Sequence, residues 1–311
     1  MRTPFTWDLG RRTLPLGQRT VIMGVVNVTP DSFSDGGQFL DASRAVEHAM
    51  KLLEEGADVL DVGGESTRPG ARVSPGLAAG SSGFAAGVSA REELDRILPV
   101  IEGILTLRPE AVVSIDTYKA EVARAAVQAG ALIVNDVSAF RWDPQMAATV
   151  AELDCGCILM HMRGRPEEWR SLPPEPDIVG LVERELRDGA QAALEAGIRR
   201  ERIVLDPGFG FGKNFEQNYP LLAHLARISA LGFPVLAATS RKSFIGRTVG
   251  HRLAELSGIE PQDVAPAQRL NGTLATVVAA VLNGAHLVRV HDVRPAVEAV
   301  AIADAILGTE K

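Results

Sequence analysis

The sequence predicts a single α/β domain over residues 1–311, a (β/α)8 TIM barrel with an N-terminal β-hairpin and a loop insertion after strand 2. Eight short apolar segments recur along the chain, and each is followed by a helix or by a loop and then a helix. A barrel of this kind takes about 250 residues. A chain of 311 residues therefore has room for the barrel and both additions.

The predicted barrel strands are uninterrupted apolar runs, which are typical of parallel strands buried on both faces. They cover residues 21–27, 59–62, 112–116, 132–136, 157–161, 203–206, 235–240 and 286–291. Segments with a helical spacing of apolar residues, or rich in small residues, predict helices at 42–55, 91–107, 119–129, 178–196, 266–282 and 295–307. Asp41 is the expected N-cap of the first helix.

Two segments lie outside this alternation. Residues 5–8 and 12–14 flank Leu9 and Gly10 and predict a hairpin within residues 1–20, which would plug one end of the barrel. Residues 75–89 are mostly small and have little periodicity. We interpret them as a flexible loop insertion rather than as a domain boundary.

A doubly wound open sheet is the alternative fold. Its nucleotide-binding form carries GxGxxG after the first strand, whereas GFGFGK at residues 208–213 follows the sixth strand and has a different spacing. The same residues are one position short of the GxxxxGK pattern of a P-loop. Both phosphate-loop interpretations fail, and the barrel is the better prediction.

The composition is that of a soluble globular protein. Apolar residues make up 46% of the chain, and the net charge of -7 argues against a nucleic-acid partner or an anionic membrane surface. The amino end lacks the apolar core of a signal peptide, and no run reaches the ~18 apolar residues of a membrane span. We therefore expect a cytoplasmic protein, in which Cys155 and Cys157 are buried free thiols.

Polar side chains end nearly every predicted barrel strand. In a barrel the carboxyl ends of all strands converge on one face, so residues that are far apart in sequence would line a single pocket. Any one of them could instead be a strand-terminal turn or cap, but that explanation is weak for the whole set. The set comprises Asn27, Glu65 to Arg68, Asp116, Asn135, His161, Asp206, Ser240 to Lys242, Arg289 and His291.

The first of two clusters within this set mixes acids, an amide and a base. Asp116, Asn135, Asp206 and Lys242 suit a flat heterocycle whose edge alternates hydrogen-bond donors and acceptors. The carboxylate of Asp206 would accept two hydrogen bonds from an amidine-like N–H pair. The alternative is a buried ion pair of Asp206 and Lys242 that binds no ligand.

The second cluster suits an anionic leaving group, because barrels often bind phosphate in the loops after strands 7 and 8. It comprises Asn27, Ser240, Arg241, Arg289 and His291, although Arg241 could instead be only a solvated loop charge. The spacing of the histidines fits neither a zinc site nor a Ser-His-Asp triad. A metal ion here would be a hard one such as Mg²⁺, with the Asn27 amide oxygen and substrate phosphates as ligands.

Eight motifs spread over nearly the whole chain closely resemble those of bacterial dihydropteroate synthases, a family of pterin-binding barrels. They are NVTPDSFSDGG (27–37), GGESTRPGA (63–71), SIDTYK (114–119), IVNDVSA (133–139), LMHMRG (159–164), LDPGFGFGK (205–213), TSRKSFIG (239–246) and RVHDV (289–293). The first motif and SRKSFIG are specific to that family, whereas the acids and amide that end strands 3, 4 and 6 also occur in pterin-binding methyltransferases.

The resemblance implies that 4-aminobenzoate displaces pyrophosphate from (7,8-dihydropterin-6-yl)methyl diphosphate, with Mg²⁺ as cofactor, in a homodimer formed through the carboxyl-terminal helices. The implied pterin-binding residues are Asp116, Asn135, Val137, Met160, Asp206, Phe211 and Lys242. The implied pyrophosphate ligands are Asn27, Arg289 and His291, and Asn27 would also bind the metal. The implied 4-aminobenzoate site is Thr67, Arg68, Pro69, Ser240 and the Lys242 stem. Catalysis would rest on Asp116, Lys242, Arg289 and His291.

Two other functions remain open at this level. A methyltransferase would share the pterin acids but would have no need for Arg289, His291 or the SRKSFIG loop. A non-catalytic paralogue would bind the pterin but lack turnover, because residues 75–89 lengthen the loop that should close over the 4-aminobenzoate site. The insertion would either raise KM for that substrate or be an inert surface excursion.

Overall fold

The computed structural model describes residues 2–28, 38–65, 87–169 and 171–309. Eight parallel strands form one sheet. Their order in the sheet is β8 (Ile203–Asp206), β7 (Gly156–Met160), β6 (Ile133–Asp136), β5 (Val113–Asp116), β4 (Val59–Gly63), β3 (Val21–Asn27), β10 (Leu287–Val290) and β9 (Leu236–Ala237). A parallel bridge joins Leu205 of β8 to Val235, and the Leu205 amide donates to the Pro234 carbonyl at 2.9 Å. This bridge brings the two ends of the sheet together, so the sheet is a nearly closed barrel. The prediction of a TIM barrel is confirmed, and the doubly wound sheet is excluded.

The described strands and helices alternate along the barrel. The strands are β1 Phe5–Asp8, β2 Thr13–Leu16, β3 Val21–Asn27, β4 Val59–Gly63, β5 Val113–Asp116, β6 Ile133–Asp136, β7 Gly156–Met160, β8 Ile203–Asp206, β9 Leu236–Ala237 and β10 Leu287–Val290. The helices are α1 Gln38–Glu54, α2 Ala90–Leu107, α3 Ala120–Gln128, α4 Met146–Leu153, α5 Ile178–Glu195, α6 Asn218–Ala223, α7 Ala226–Ser229, α8 Ser243–Ser257, α9 Leu270–Leu282 and α10 Val293–Gly308.

Several helix boundaries differ from the sequence prediction. Helix α1 begins at Gln38, so the expected N-cap Asp41 lies inside the helix, because no Gly or Pro separates the two residues. Ser89, the last residue assigned to the insertion, is the N-cap of α2 and forms a capping box with Glu92. The first four residues of the predicted helix 266–282 precede α9.

Four helices were not predicted at all: α4, α6, α7 and α8. In α8 the pattern is obscured by two buried glycines. A Cβ at Gly246 would lie 2.3 Å from Nε of Arg269, and one at Gly250 would lie 1.9 Å from the carbonyl of Gln262. The glycines are therefore needed where the segment before α9 crosses the helix, and they lower the local helical signal.

The N-terminal hairpin closes the end of the barrel where the strands begin. Trp7, Leu9 and Leu16 are buried against apolar side chains from the first residues of the barrel strands. The indole Nε1 of Trp7 donates to the carbonyl of Arg202 at 2.9 Å. A Cβ at Gly156 would lie 2.6 Å from Leu9, so this strand must carry glycine at its start. The prediction that the hairpin plugs one end is confirmed.

Both cysteines are free and buried, as the sequence predicted. Burial raises the pKa of the Cys155 thiol to about 12, and it also raises the pKa of the Cys157 thiol well above its ordinary value. Within the described ranges, no helix has the length and apolarity needed to cross a membrane.

Candidate active site

The alternation of side chains along each strand determines which residues reach the barrel interior. On β4, Val59 belongs to the cluster around the hairpin, while Leu60 and Val62 pack with the outer helices. Asp61 and Gly63 share the face of Val59, because every second residue points the same way. The same alternation puts Asp116, Asn135, Met160, Asp206 and Arg289 on the interior faces of their strands.

Strand register brings the predicted residues to one rim. Asn27 pairs with Gly63, Gly63 with Asp116, and Asp116 with Asn135 across four adjacent strands. On the other side of the barrel, Met160 of β7 pairs with Asp206 of β8. The carboxyl ends of these strands therefore meet at one end of the barrel, opposite the hairpin.

Arg289 of β10 forms ion pairs with acids on β4 and β5. Its Nη2 donates to Oδ2 of Asp116 at 2.8 Å, and its Nε lies 2.5 Å from Oδ2 of Asp61. The amide of Asn135 donates to the same Asp61 oxygen at 3.1 Å. One guanidinium therefore links two carboxylates inside the barrel.

Asp61 was missed by the sequence analysis, although its signal is present. It is a carboxylate within the apolar run VLDVG, two residues before the end of β4, and it is fully buried. A charged residue in a strand that is buried on both faces needs a partner. Here the partners are Arg289 and Asn135, and both come from other strands.

Burial shifts the pKa of two acids at this rim, Asp116 and Asp206, upward. It raises the pKa of Asp116 to about 7, against the opposing effect of the Arg289 charge. It raises the pKa of Asp206 to about 6, although the Gly208 amide and the Lys242 charge favour the carboxylate. The site therefore holds two acids that titrate near neutral pH.

Asp206 begins the glycine-rich segment and is 2% exposed. One carboxylate oxygen accepts a hydrogen bond from the Gly208 amide at 2.7 Å. Close to this acid, Nζ of Lys242 lies 3.8 Å from the centre of the Phe211 ring. The acid and the base of the first predicted cluster are thus neighbours, and the aromatic ring of Phe211, which the resemblance implied, lies beside the base.

An apolar wall stands beside these polar groups. The buried side chains of Val137 and Met160, both predicted, form one cluster with Phe211 at its edge. Trp169 packs edge-on against Phe211 with ring centres 5.5 Å apart. Tyr118, Trp142 and Met162 complete the cluster, and sequence reasoning missed these three residues together with Trp169. An apolar slot beside convergent polar groups is typical of a site for a planar organic ligand.

Ser240 and His291 are adjacent, as predicted for the second cluster. Oγ of Ser240 lies 3.0 Å from Nδ1 of His291, and the His291 amide donates to the same hydroxyl at 3.2 Å. Arg241 has a left-handed backbone, with φ of 57°, and its guanidinium pairs with Asp292 at 2.6 Å. This ion pair gives Arg241 a structural role.

His161, the remaining strand-end candidate, is buried within the fold. Its Nδ1 lies 2.9 Å from Nζ of Lys213, and its Nε2 lies 3.3 Å from Glu185. Burial, together with the Lys213 charge, lowers the pKa of His161 to about 4. A neutral, 1% exposed imidazole of this kind supports the structure of the site.

Three predicted residues of the 4-aminobenzoate site, Thr67, Arg68 and Pro69, lie outside the described residues, and so does most of the predicted insertion. The structure describes what comes just before and after. Glu65 accepts hydrogen bonds from Lys119 at 2.6 Å and from the Val88 amide at 3.3 Å. Within the described part of the chain, no three His, Cys, Asp or Glu side chains form a metal-binding group.

Comparison with known proteins yields one family. The sequence model of the family described as "Pterin binding enzyme" matches residues 23–291. Dihydropteroate synthase from Escherichia coli K12 is 41% identical over 290 residues, which cover 93% of each chain. The Bacillus subtilis dihydropteroate synthase is 40% identical, over 93% of this chain and 90% of the relative.

Solved structures are similar over the same length. Dihydropteroate synthase from Xanthomonas albilineans with 4-aminobenzoic acid superimposes with a TM-score of 0.81 at 43% identity, over 98% of this chain and 99% of the other. The same enzyme in complex with 7,8-dihydropteroate has a TM-score of 0.76 at 41% identity, over 97% and 98% of the two chains. The resemblance seen in the sequence motifs is therefore confirmed.

Proposed function

The chain belongs to the pterin-binding enzyme family and, within it, to the dihydropteroate synthases, and from this we propose the reaction of its barrel pocket. The amine of 4-aminobenzoate displaces pyrophosphate from (7,8-dihydropterin-6-yl)methyl diphosphate and forms 7,8-dihydropteroate, a step of folate biosynthesis. The observation that carries the proposal is the convergence of Asp116, Asn135 and Asp206 on one rim, beside the Phe211 ring.

Recognition of the pterin would use the polar groups on the interior face. Asp206 would accept two hydrogen bonds from the amidine-like N–H pair of the ring, and Asn135 and Lys242 would meet other positions on its edge. Val137, Met160 and Phe211 would pack against the flat faces. Because Met160 pairs with Asp206 in the strand register and belongs to the apolar cluster, an acid and the apolar wall lie side by side before the ligand arrives.

Charge development at the reacting carbon would follow from the loss of pyrophosphate. The C–O bond to the diphosphate breaks and leaves positive charge on the pterin methylene, which the Asp116 carboxylate would stabilise. Negative charge grows on the departing oxygens, and Arg289 and His291 would bind them. Arg289 is suited to this because Asp61 and Asp116 raise its pKa despite burial, so the guanidinium stays charged.

Mg²⁺ would be held by the side-chain oxygen of Asn27 together with diphosphate oxygens and water. Asn27 suits this role because an amide oxygen is a ligand of hard cations. The residue ends β3 as a half-buried side chain at the active-site rim. The ion supplies positive charge that neutralises the leaving pyrophosphate.

The second substrate would enter above the pterin. Ser240 and the stem of Lys242 would bind 4-aminobenzoate with Thr67, Arg68 and Pro69. An arylamine is neutral at pH 7, and its lone pair attacks the methylene without prior deprotonation. The proton is lost after the C–N bond has formed, so positioning and electrostatics would govern the rate.

A homodimer through the carboxyl-terminal helices would cover an apolar surface. Helices α9 and α10 pack side by side, and Leu282, Ile302 and Ile306 on them are 41%, 65% and 48% exposed. Exposed apolar side chains grouped in this way favour a second copy of the chain as the partner. Replacing Ile302 and Ile306 with Glu should yield a monomer in sedimentation, and a monomeric wild type would contradict the proposal.

The cytoplasm is the compartment that we propose for this reaction. The two buried, free cysteines are typical of a protein that folds in a reducing environment. Proteins of oxidising compartments more often pair their cysteines.

The function is tested by measuring the release of pyrophosphate from the dihydropterin diphosphate in the presence of Mg²⁺, with and without 4-aminobenzoate. We expect release to be coupled one-to-one to formation of dihydropteroate. Pterin binding without either product would indicate a non-catalytic paralogue. Methyl transfer from a methylated pterin, with no need for pyrophosphate, would indicate a methyltransferase instead.

A further inference from the structure

Lys213, the last residue of GFGFGK, has no role in the chemistry described so far, yet its environment is unusual. The side chain is buried, with the residue 7% exposed. Its Nζ lies 2.9 Å from Nδ1 of His161 and donates to three backbone carbonyls: Gly208 at 2.8 Å, Phe211 at 3.1 Å and His161 at 3.3 Å. A buried ammonium normally requires such a full set of acceptors, because desolvation is costly.

Two segments meet at this ammonium, the glycine loop (residues 208–212) and the β7 loop (residues 161–164). Gly208, Gly210 and Gly212 have φ values of 66°, 81° and 67°. A Cβ would lie 1.9 Å from the His161 carbonyl at Gly208 and 2.0 Å from the Arg163 carbonyl at Gly212. The glycine loop must therefore be free of side chains at these points in order to pack on the β7 loop.

Glycines that permit close packing also weaken it, because they leave the unfolded segment with high conformational entropy. A specific interaction has to offset that entropy. The Lys213 ammonium does so by binding both ends of the contact, since Gly208 and Phe211 belong to the glycine loop and His161 to the β7 loop. Burial lowers the pKa of Lys213 to about 7, while the negative charges of Asp206 and Glu185 favour the ammonium, so the charged form with all three donors is present at and below neutral pH.

The glycine loop carries two groups of the pterin site. The Gly208 amide donates to Asp206 at 2.7 Å, and the Phe211 ring lies 3.8 Å from Nζ of Lys242. Both contacts depend on where the loop lies. We propose that Lys213 is a positioning residue: its buried ammonium clamps the glycine loop onto the β7 loop and thereby places Asp206 and Phe211 for pterin binding.

This inference is tested by enzyme kinetics and by hydrogen exchange, and only the kinetic test rests on the proposed function. Lys213→Met keeps the length of the side chain but removes the charge and the donors. We expect KM for the dihydropterin diphosphate to rise about tenfold or more, with kcat changed less, and KM for 4-aminobenzoate to stay within about twofold. Lys51→Met is the matched control, because Lys51 is an exposed lysine on α1 whose side chain is 69% exposed.

Hydrogen exchange of the ligand-free chain tests the clamp without turnover. Amides of residues 208–214 should exchange about tenfold faster in Lys213→Met than in the wild type, whereas Lys51→Met should not change them. If the wild type made no product, the proposed function would fail, and the exchange arm would still decide the clamp. Unchanged exchange of these amides in folded Lys213→Met would overturn the clamp, whatever the KM for the pterin.

Direct binding of phosphate by Lys213 is the competing role, and inorganic pyrophosphate is the probe. We expect the inhibition constant of pyrophosphate to be the same in the wild type and in Lys213→Met. A weakened pyrophosphate inhibition with normal pterin affinity would make Lys213 a diphosphate ligand and would overturn the positioning role.

His161 provides a second pair of variants in case Lys213→Met does not fold. Asn at position 161 can offer its side-chain oxygen near the place of Nδ1, whereas Leu cannot. We expect His161→Leu to raise KM for the pterin by about threefold or more and His161→Asn to change it less, with the same order in the loop exchange. Equal effects of the two variants would contradict the clamp.

Discussion

Arg289 donates Nη2 to Oδ2 of Asp116 at 2.8 Å, although the two residues are 173 positions apart in the chain. Nε of the same guanidinium lies 2.5 Å from Oδ2 of Asp61, which is fully buried. Asp116, proposed to stabilise the developing cation, is thus already paired with Arg289, proposed to bind the leaving group. An incoming dihydropterin diphosphate would share both residues, which couples the two ends of the breaking bond.

We expect kcat/KM for the dihydropterin diphosphate to fall as the pH drops below about 7. Burial raises the pKa of Asp116 to about 7, and the protonated acid cannot stabilise positive charge on the methylene. The measurement is kcat/KM from pH 5 to 9 at constant ionic strength. Binding of a pterin without the diphosphate is the control, because it removes the ionisation of the phosphate. A flat profile between pH 5.5 and 8 would contradict the prediction.

Asp61→Asn should lower kcat/KM by about tenfold or more, because Arg289 loses the charged partner that orients it. The Asp61 charge is one of the causes that raise the pKa of Asp116, so its removal should lower that pKa. The fall of kcat/KM at acid pH should therefore begin at a lower pH in this variant. Ser114→Ala is the matched control. Ser114 pairs with Asp61 in the strand register and is equally buried, and its hydroxyl has no hydrogen-bond partner among the described residues. Similar losses in both variants would refute the specific role of Asp61.

Asp136→Asn should remove part of the pH dependence of stability. Burial raises the pKa of Asp136 from 3.8 to about 6, in spite of hydrogen bonds from Ser138. The folded protein therefore binds more protons than the unfolded chain in this window, and its free energy of unfolding decreases as the pH rises from about 4 to 6. About two pKa units correspond to roughly 3 kcal/mol. Denaturation by urea at pH 4 and pH 7 measures the change, with Glu298→Gln on the exposed surface of α10 as control. An unaltered pH dependence in Asp136→Asn would show that this acid is not the source.

Trp7→Ala should destabilise the fold by about 3–5 kcal/mol, because it leaves a cavity between the hairpin and the barrel. It also leaves the Arg202 carbonyl without its indole donor. The kinetic constants of the folded variant should stay near those of the wild type, since the hairpin lies at the end opposite the active site. Leu107→Ala, at the exposed carboxyl end of α2, should have little effect on unfolding. A large loss of kcat in folded Trp7→Ala would show that the two ends of the barrel are coupled.

Deleting residues 75–86 should lower KM for 4-aminobenzoate and leave the pterin KM unchanged. A shorter connection costs less entropy to order. The deletion keeps Val88, whose amide donates to Glu65, and Ser89, which caps α2. Ser89→Ala in the full chain is the control and should cost about 1 kcal/mol of stability without this kinetic change. Unchanged values of both KM constants would show that the insertion is inert.

The eight barrel strands and the set of strand-end polar residues were readable from the chain because both are local patterns. Apolar runs of strand length give the barrel, and a polar residue at the end of such a run must lie at the rim. The same locality explains the misses. The glycines of α8 weaken its helical pattern, and they are needed because a segment distant in sequence packs against the helix. Asp61 was missed because the apolar residues around it are typical of a core strand.

The sequence by itself therefore determined the fold, the rim of the barrel at which the strand-end polar residues meet, and the chemical types of those residues. Only the tertiary structure decided their partners. It paired Arg289 with Asp61 and Asp116, Arg241 with Asp292, and Lys213 with His161 and the glycine loop. The physical reason is that charge pairing and burial depend on distances of a few ångströms between strands that are far apart in sequence. No local pattern along the chain records those distances.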